Sequence, residues 1–205
     1  MPLIEVVRSA QTRADVVAAA LGFARRIDKL PLPCRSAPGF VVNRVLTPYL
    51  QEAMLALEEG VPGALIDRVA VDFGMPMGPI ELADVVGLDV SEHVGAIVAR
   101  ELGRTPPALP GLAGHLAAKE LGRKSGRGFY EWREGKAVKP DPGAVQAPAD
   151  LADRLVLALV NECVAVLREA TVEDADLLDA GVIFGSGFAP FRGGPLAHAK
   201  HRGYA

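Results

Sequence analysis

The sequence is poor in cysteine and in aromatic residues. Among its 205 residues there are 2 cysteines, and aromatic side chains make up 5% of the chain. Cys34 and Cys163 are far apart and form no CxxC motif. This predicts two buried free thiols rather than a disulfide and fits a reducing, cytoplasmic environment. With so few aromatic rings, leucine, valine and alanine must fill the core.

Long apolar runs and an excess of basic charge are also absent. No apolar stretch approaches about 18 residues, and no basic segment followed by an apolar one opens the chain. The sequence therefore predicts neither a membrane span nor a signal peptide. The net charge is −3 and no basic patch stands out, which argues against nucleic-acid binding. A content of 50% hydrophobic and 23% charged residues is typical of a globular protein with one large domain or two small ones.

Metal-binding and phosphate-binding motifs are missing as well. The histidines belong to no HExxH motif and have no cysteine at ligand spacing, so we expect no metal site. Residues 122–126 superficially resemble a phosphate loop, but their order of Gly, Lys and Ser is not that of a Walker loop. A structural turn is the favoured interpretation, and contact of Arg123 or Lys124 with the phosphate of a bound ligand is the alternative. The glycine-rich run at 185–195 is likewise predicted to be a tight turn.

Residues 1–36 have the pattern of a small β-α-β unit. The β-branched run at 3–7 is typical of a strand, and Thr12 is predicted to cap a helix over about residues 13–28. A second extended piece covers residues 30–34. Two strands are too few to bury both faces of a sheet, so we expect this unit to be the end of a larger α/β domain. One face of the predicted helix carries Val16, Val17, Ala20, Phe23 and Ala24.

From residue 37 onwards the pattern becomes helical. Apolar residues recur at i, i+3, i+4 and i+7 between Val42 and Leu57, which predicts a long amphipathic helix ended by Gly60. Residues 75–79 are predicted to form a rigid turn, because each proline fixes φ and restricts the residue before it. Residues 122–149 read as a linker loop held down by its aromatic residues. Shorter helices are predicted over 66–73, 80–86, 90–102 and 112–121.

The last third of the chain repeats the middle third. Arg154, Glu162 and Glu169 follow Arg44, Glu52 and Glu59 at a constant spacing of 110 residues, and both sets are followed by a Gly-Pro turn. This regularity predicts a duplicated helical unit, with structural salt bridges or surface positions for Glu52 and Glu162. The expected protein is mainly α. Its predicted divisions are the α/β-domain end over 1–36, a first helical domain over 37–149 with a linker from about 122, and a second helical domain over 150–205.

Several strings of the sequence resemble the 3-hydroxyacyl-CoA dehydrogenase family, in the order in which that family has them. The strings are Met1-Pro2-Leu3-Ile4-Glu5-Val6-Val7, Ala37-Pro38-Gly39-Phe40-Val41-Val42-Asn43-Arg44, Gly74-Met75-Pro76-Met77-Gly78-Pro79, Asp84-Val85-Val86-Gly87-Leu88-Asp89 and Gly122-Arg123-Lys124-Ser125-Gly126-Arg127-Gly128-Phe129-Tyr130. The second helical copy, with its Gly187-to-Pro195 run, makes the chain most similar to the multifunctional α-subunits of fatty-acid β-oxidation. The resemblance implies the helical, C-terminal part of an enzyme that oxidises 3-hydroxyacyl-CoA to 3-oxoacyl-CoA with NAD. It also implies that residues 1–36 are the residual end of the Rossmann-like, nucleotide-binding domain of that enzyme.

The resemblance also implies two site residues. In the family, a histidine takes the proton of the 3-hydroxyl group while hydride passes to NAD, and a glutamate pairs with that histidine. Glu5 matches this glutamate. Asn43 matches an asparagine near the reacting oxygen of the substrate, and helix capping is the alternative role for it.

Other family features are not found in this sequence. It contains neither the His-Phe-x-Asn-Pro segment with the catalytic histidine nor the Gly-x-Gly-x-x-Gly nucleotide fingerprint. We therefore expect a missing N-terminal Rossmann domain, no NAD binding by this chain and little activity on its own, so that its status as an enzyme is undecided. The expected partners are a 3-hydroxyacyl-CoA substrate and a second copy of the chain in a homodimer.

Two other interpretations stay open on the sequence. The chain is alternatively a non-catalytic helical scaffold or acyl-CoA-binding module. A helical domain of another β-hydroxyacid dehydrogenase, such as the 6-phosphogluconate class, is the third possibility. The Pro-Gly-Phe-x-x-Asn-Arg and Gly-x-Pro-x-Gly-Pro strings weigh against that third interpretation.

Overall fold

The computed structural model describes residues 2–204, and every structural statement below concerns these residues. The chain is mainly helical and starts with a parallel β-α-β unit, as predicted. None of the described helices is long and apolar enough to cross a membrane. The elements are β1 (Leu3–Arg8), α1 (Ala14–Arg26), β2 (Leu30–Arg35), α2 (Val42–Glu58), α3 (Gly63–Phe73), α4 (Pro79–Val86), α5 (Leu88–Glu101), α6 (Pro110–Ala117), β3 (Glu131–Arg133), β4 (Lys136–Val138), α7 (Leu151–Arg168), α8 (Ala175–Ser186) and α9 (Pro195–His201).

The chain forms two compact units. Unit 1 contains Met1–Leu46 and Leu159–Ala205, and unit 2 contains Thr47–Ala158. The boundaries fall inside α2 and α7, so each of these long helices contributes one part to each unit. The domain division predicted from the sequence remains a prediction. The two compact units are defined by contacts between residues, whereas the predicted domains are defined by the repeat in the sequence.

In unit 1, the two strands form a parallel pair in which Glu5 lies opposite Leu32. Side chains alternate between the two faces of a strand, so Leu3, Glu5 and Leu32 share one face. Helix α8 packs against this face, and a Cβ added to its Gly181 would lie 2.6 Å from a methyl group of Leu32. Helix α1 contacts both strands and covers the opposite face, where Val6 is buried.

Helix α1 departs from the sequence prediction at its start. The predicted cap at Thr12 is wrong, because the helix begins at Ala14 without a side-chain cap and Thr12 Oγ1 accepts a hydrogen bond from Ser9 N at 3.0 Å. The apolar face is also largely uncovered. Ala24 is 1% exposed, whereas Val16 is 52% and Phe23 56% exposed.

A buried aspartate closes the Gly-Pro turn in each helical copy. In unit 2, Asp67 on α3 accepts a hydrogen bond from Ile80 N at 2.8 Å, in the first turn of α4. In unit 1, Asp179 on α8 accepts hydrogen bonds from Leu196 N at 2.7 Å and Ala197 N at 2.9 Å, in the first turn of α9. Each carboxylate thereby satisfies helix donors that have no partner within the helix. The shared construction confirms the predicted duplication.

The two Arg-Glu sets found in the sequence are ion-pair networks between α2 and α7. In unit 1, Arg44 binds Glu162 at 2.7 Å and Glu169 at 2.6 Å. In unit 2, Arg154 binds Glu52 at 2.7 Å and Glu59 at 2.7 Å. The pairing is reciprocal, since the arginine of each copy binds the glutamates of the other. This confirms the predicted salt-bridging role of Glu52 and Glu162.

The segment predicted to be a linker contains structure that the sequence analysis missed. A short antiparallel hairpin joins β3 to β4 through Glu134 and Gly135, both of which have positive φ. The carboxylate of Asp84 accepts hydrogen bonds from Phe129 N, Tyr130 N and Trp132 Nε1, each at 2.9 Å. The aromatic residues do hold this segment down, as predicted, but two of these three bonds come from their backbone amides.

The Gly122-to-Gly126 turn and the cysteines agree with the predictions. Lys124 Nζ donates hydrogen bonds to the two carboxylate oxygens of Asp89 at 2.5 and 2.7 Å. Ser125 Oγ accepts a hydrogen bond from Leu121 N at 2.7 Å, as expected of a structural turn. Cys34 and Cys163 are buried free thiols. Burial raises the pKa of Cys34 to about 12, which keeps this thiol protonated and poorly reactive.

Candidate active site around Glu5 and Asn43

The centre of the candidate site is the contact between strand β1 and the start of α2, inside unit 1. Glu5 Oε1 accepts a hydrogen bond from Val41 N at 2.7 Å and a second one from Val42 N at 3.2 Å. These amides belong to the first turn of the helix, where N–H groups have no partner within the helix. The carboxylate therefore acts as a cap supplied from a strand, and the cap fixes its position.

A tight turn aims these amides at the strand. Pro38 and Gly39 occupy the central positions of a turn closed by a hydrogen bond from Phe40 N to Ala37 O at 2.9 Å. Gly39 has a φ of +72°, as the third residue of a type II turn requires. Phe40 also has a positive φ, of +52°, and the helix begins two residues later. The Pro-Gly-Phe string thus has a local structural role.

The electrostatic environment of Glu5 has opposing contributions. Partial burial raises the pKa of the Glu5 carboxyl group above its ordinary value, while the hydrogen bonds from Val41 and Val42 lower it; burial is the larger effect. The partial positive charge at the start of a helix also favours a carboxylate there. A carboxylate that is fixed, partly desolvated and close to a helix start is well suited to bind and orient a cationic or N–H-donating partner.

Asn43 lies in the same helical turn, one residue after Val42. Its side chain is exposed, whereas the flanking Val42 and Arg44 are buried. Glu5 is therefore hydrogen-bonded to the two residues that directly precede Asn43 in the chain.

Other features of the described residues do not form a second candidate centre. No group of three or more His, Cys, Asp or Glu residues within residues 2–204 has the geometry to hold a metal ion. A cavity of about 410 Å³ lies at the carboxyl ends of β1 and β2, but neither Glu5 nor Asn43 lines it. Arg8 and Glu173 form an ion pair in its wall.

Comparison with known proteins identifies the family. Residues 39–132 match the family model described as 3-hydroxyacyl-CoA dehydrogenase, C-terminal domain. The whole chain aligns with the fatty acid oxidation complex subunit alpha of Shewanella baltica, at 37% identity over 217 residues and 100% of this chain. This chain belongs to the 3-hydroxyacyl-CoA dehydrogenase family. The match to the family model includes Asn43, and Glu5 lies in the longer alignment.

The comparisons also show how much of the relatives this chain represents. It covers 31% of the Shewanella baltica subunit and 31% of the subunit alpha of Acinetobacter baumannii, to which it is 37% identical over 224 residues. The chain therefore spans about a third of the length of these curated relatives.

Solved structures of family members have the same fold. The structure of 3-hydroxybutyryl-CoA dehydrogenase from Escherichia coli aligns with a TM-score of 0.81 and 25% identity, over 98% of this chain and 61% of that one. The (S)-3-hydroxybutyryl-CoA dehydrogenase of Ralstonia eutropha aligns with a TM-score of 0.62 and 34% identity, over 65% of this chain and 48% of that one.

Proposed function

We propose that this chain is the substrate-side and dimerisation half of an NAD-dependent 3-hydroxyacyl-CoA dehydrogenase, which oxidises 3-hydroxyacyl-CoA to 3-oxoacyl-CoA in fatty-acid β-oxidation. The observation that carries the proposal is the Glu5 carboxylate, which Val41 N and Val42 N hold at the start of α2, where the exposed Asn43 follows Val42 in the chain. The names of its relatives, an α-subunit of fatty acid oxidation and a 3-hydroxybutyryl-CoA dehydrogenase, support the substrate class.

The described residues do not fit NAD. The strand β1 is followed by Ser9 and Ala10 rather than by a glycine-rich loop, and its sheet has two strands in the described part of the chain. The proposal therefore places the nucleotide, which family enzymes use, on a part of the enzyme other than residues 2–204. The catalytic histidine, which the sequence also lacks, belongs to that other part.

The proposed role of Glu5 is to orient the histidine and to stabilise its charge. A neutral imidazole that takes the proton of the 3-hydroxyl group becomes a cation, and a carboxylate behind it stabilises that cation and fixes its tautomer. The bonds from Val41 N and Val42 N hold the carboxylate so that no side-chain rotation is needed when the charge appears. Asn43 is proposed to donate a hydrogen bond near the reacting oxygen of the substrate.

Reconstitution tests this proposal. The chain is mixed with a separately produced N-terminal domain that contains the nucleotide fingerprint and the His-Phe-x-Asn-Pro segment. NADH formation from 3-hydroxybutyryl-CoA is then followed by absorbance. We expect turnover only in the mixture. The alternative function, a scaffold or acyl-CoA-binding module without catalysis, predicts that the mixture stays inactive.

Variants of the chain then test the residue roles. Glu5→Gln keeps the shape of the side chain and removes its charge, and is expected to lower turnover by about 100-fold or more. Asn43→Ala is expected to reduce the stabilisation of the transition state by about 1–3 kcal/mol, because the reacting oxygen of the substrate would lose a hydrogen bond. The matched control is Glu173→Gln, because Glu173 is exposed and pairs with Arg8 instead. Circular dichroism checks the folding of each variant, and an active mixture that is indifferent to Glu5→Gln contradicts the role assigned to Glu5.

A further inference from the structure

Phe40 combines two unfavourable features. Its backbone has a φ of +52°, in the left-handed region that bulky residues avoid. Its side chain is also 41% exposed, although it is a large apolar ring. Backbone strain of this kind persists where the surroundings enforce it, and it is concentrated at ligand-binding and active sites.

The other non-glycine residues with positive φ do not share this combination. Those in the described chain are Asp28, Lys119, Glu134 and Ala170. They are polar or small, so none of them exposes a large apolar side chain at a positive φ. Phe40 alone among these five brings a large apolar side chain to such a position. Glycine adopts this φ without strain, so the backbone conformation by itself does not call for a phenylalanine.

The location of Phe40 connects it to the candidate site. It precedes Val41 directly, and Val41 N donates the 2.7 Å hydrogen bond to Glu5 Oε1. Asn43 follows three residues later, in the first turn of α2. The preceding turn, closed between Ala37 O and Phe40 N at 2.9 Å, limits how the backbone at Phe40 can move. The backbone of Phe40 is therefore held directly before the amide that binds the Glu5 carboxylate.

We propose that the ring of Phe40 is the apolar surface on which the acyl group of the thioester packs, so that Phe40 is a positioning residue for the substrate. This inference rests on the proposed function and deepens it. Carbons beyond C3 of a 3-hydroxyacyl chain carry no hydrogen-bonding group, so they can be held only by apolar contact. An exposed ring on the residue before the Glu5-binding amide can supply this contact near the point where C3 must be aligned with the proton acceptor.

A binding experiment on the full 205-residue chain tests the proposal. Isotope-labelled protein is titrated with butyryl-CoA and, separately, with free CoA, and NMR chemical shifts give both affinities. We expect wild type to bind butyryl-CoA more tightly than CoA. Phe40→Ala should lower the affinity for butyryl-CoA by about tenfold, the effect of losing one apolar contact, and leave the affinity for CoA unchanged. Phe40→Tyr keeps the ring and should restore the preference.

Two further variants separate a binding role from a structural one. Phe23→Ala removes a ring of similar exposure from α1, which packs on the opposite face of the sheet, and should leave both affinities unchanged. Phe40→Gly removes the ring and relieves the backbone strain. It should lower the affinity for butyryl-CoA as Phe40→Ala does, while the urea midpoint of unfolding stays the same or rises.

The possible failures are distinguishable. Equal binding of butyryl-CoA by wild type and Phe40→Ala overturns this inference and leaves the proposed function intact. Parallel loss of affinity for CoA and butyryl-CoA in Phe40→Gly, together with a lower urea midpoint, shows a structural role and also overturns it. Absence of binding of either probe to wild type, with an inactive reconstituted mixture, overturns both the inference and the proposed function.

Discussion

Glu5 and Val41 are 36 residues apart in the sequence, yet Glu5 Oε1 accepts a hydrogen bond from Val41 N at 2.7 Å. The bond joins strand β1 to the first turn of α2. It satisfies a helix donor and at the same time fixes the carboxylate that we place in the reaction. The stability of the helix start and the geometry of the site are thus properties of one contact.

Glu5 should make the stability of the protein depend on pH. Burial raises the pKa of Glu5 above 4.5, its ordinary value, so the folded protein binds this proton more tightly than the unfolded chain does. The resulting contribution to stability is fully present below the ordinary pKa and is lost as the pH rises through the raised value. Glu5→Gln does not titrate. We expect its free energy of unfolding, relative to wild type, to increase from acidic to neutral pH.

Urea unfolding at several pH values measures this difference. Gln retains a carbonyl oxygen for the bonds from Val41 N and Val42 N, so the comparison isolates the charge. Glu92→Gln, on the exposed surface of α5, serves as the control for a change of net charge. A difference between Glu5→Gln and wild type that does not vary with pH contradicts the prediction.

The reciprocal arginines should differ in their contribution to stability. Arg44 has a side chain that is 0% exposed, and its partner Glu162 is 7% exposed. Arg44→Ala removes the positive charge that faces the buried Glu162 carboxylate, and it should lower the free energy of unfolding by about 3–5 kcal/mol. The side chain of Arg154 is 26% exposed and that of its partner Glu59 is 53% exposed. Arg154→Ala should therefore lower the free energy of unfolding by about 1 kcal/mol or less.

Urea unfolding of the two arginine variants measures these losses, and a double variant is measured with them. Arg44→Met with Glu162→Leu removes both buried charges and should recover most of the stability lost in Arg44→Ala. Equal losses in Arg44→Ala and Arg154→Ala are the outcome that speaks against burial as the deciding factor.

Gly78 should tolerate no side chain, although its φ of −70° is open to any residue. A Cβ at this position overlaps with the carboxyl group of Asp67, which accepts the hydrogen bond from Ile80 N. Gly78→Ala should therefore destabilise the protein by about 1–3 kcal/mol through overpacking. Gly114, inside α6, has open space within 4 Å of the position that a Cβ would take, so Gly114→Ala should be stabilising by about 0.5–1 kcal/mol.

Thermal unfolding of the two variants decides between steric and intrinsic effects. A lower midpoint for Gly78→Ala and a higher one for Gly114→Ala is expected. If both alanines raise the midpoint, helix propensity dominates at Gly78 and the proposed steric conflict with Asp67 is not real.

Self-association through the edge of β1 is the fourth prediction. Leu30 N donates to Pro2 O and Ser36 N donates to Arg8 O. The backbone N–H and C=O groups of the even-numbered residues of β1 therefore point towards β2, and those of the odd-numbered residues point towards the open edge. No third strand covers that edge in the described part of the chain, and open edges promote pairing. Light scattering at high micromolar concentration should give a mass above that of the single chain.

Val7→Pro tests whether this edge is the contact. It removes one N–H group that faces away from β2 and leaves the bonds between the strands in place. The variant should associate less than wild type. A chain that stays monomeric, or a Val7→Pro variant that associates as strongly as wild type, contradicts the prediction.

The sequence by itself determined the long helix α2, the repeat of the helical unit and the family. The apolar spacing from Val42 to Leu57 predicted α2 almost to the residue, and the constant spacing of charged residues revealed the duplication. Family strings selected Glu5 and Asn43. These signals are local or can be read in register along the chain, because helix periodicity and turn chemistry depend on neighbouring residues.

Only the tertiary structure decided which groups meet. The sequence could not show that Arg44 binds Glu162 rather than a glutamate of its own helix, or that Glu5 reaches Val41 N. It also gave no sign that Asp84 collects three donors from a segment that looked like a linker. The reason is physical: a buried polar group takes whichever partner the packing of distant segments brings within hydrogen-bond distance, and that choice is not encoded in local periodicity.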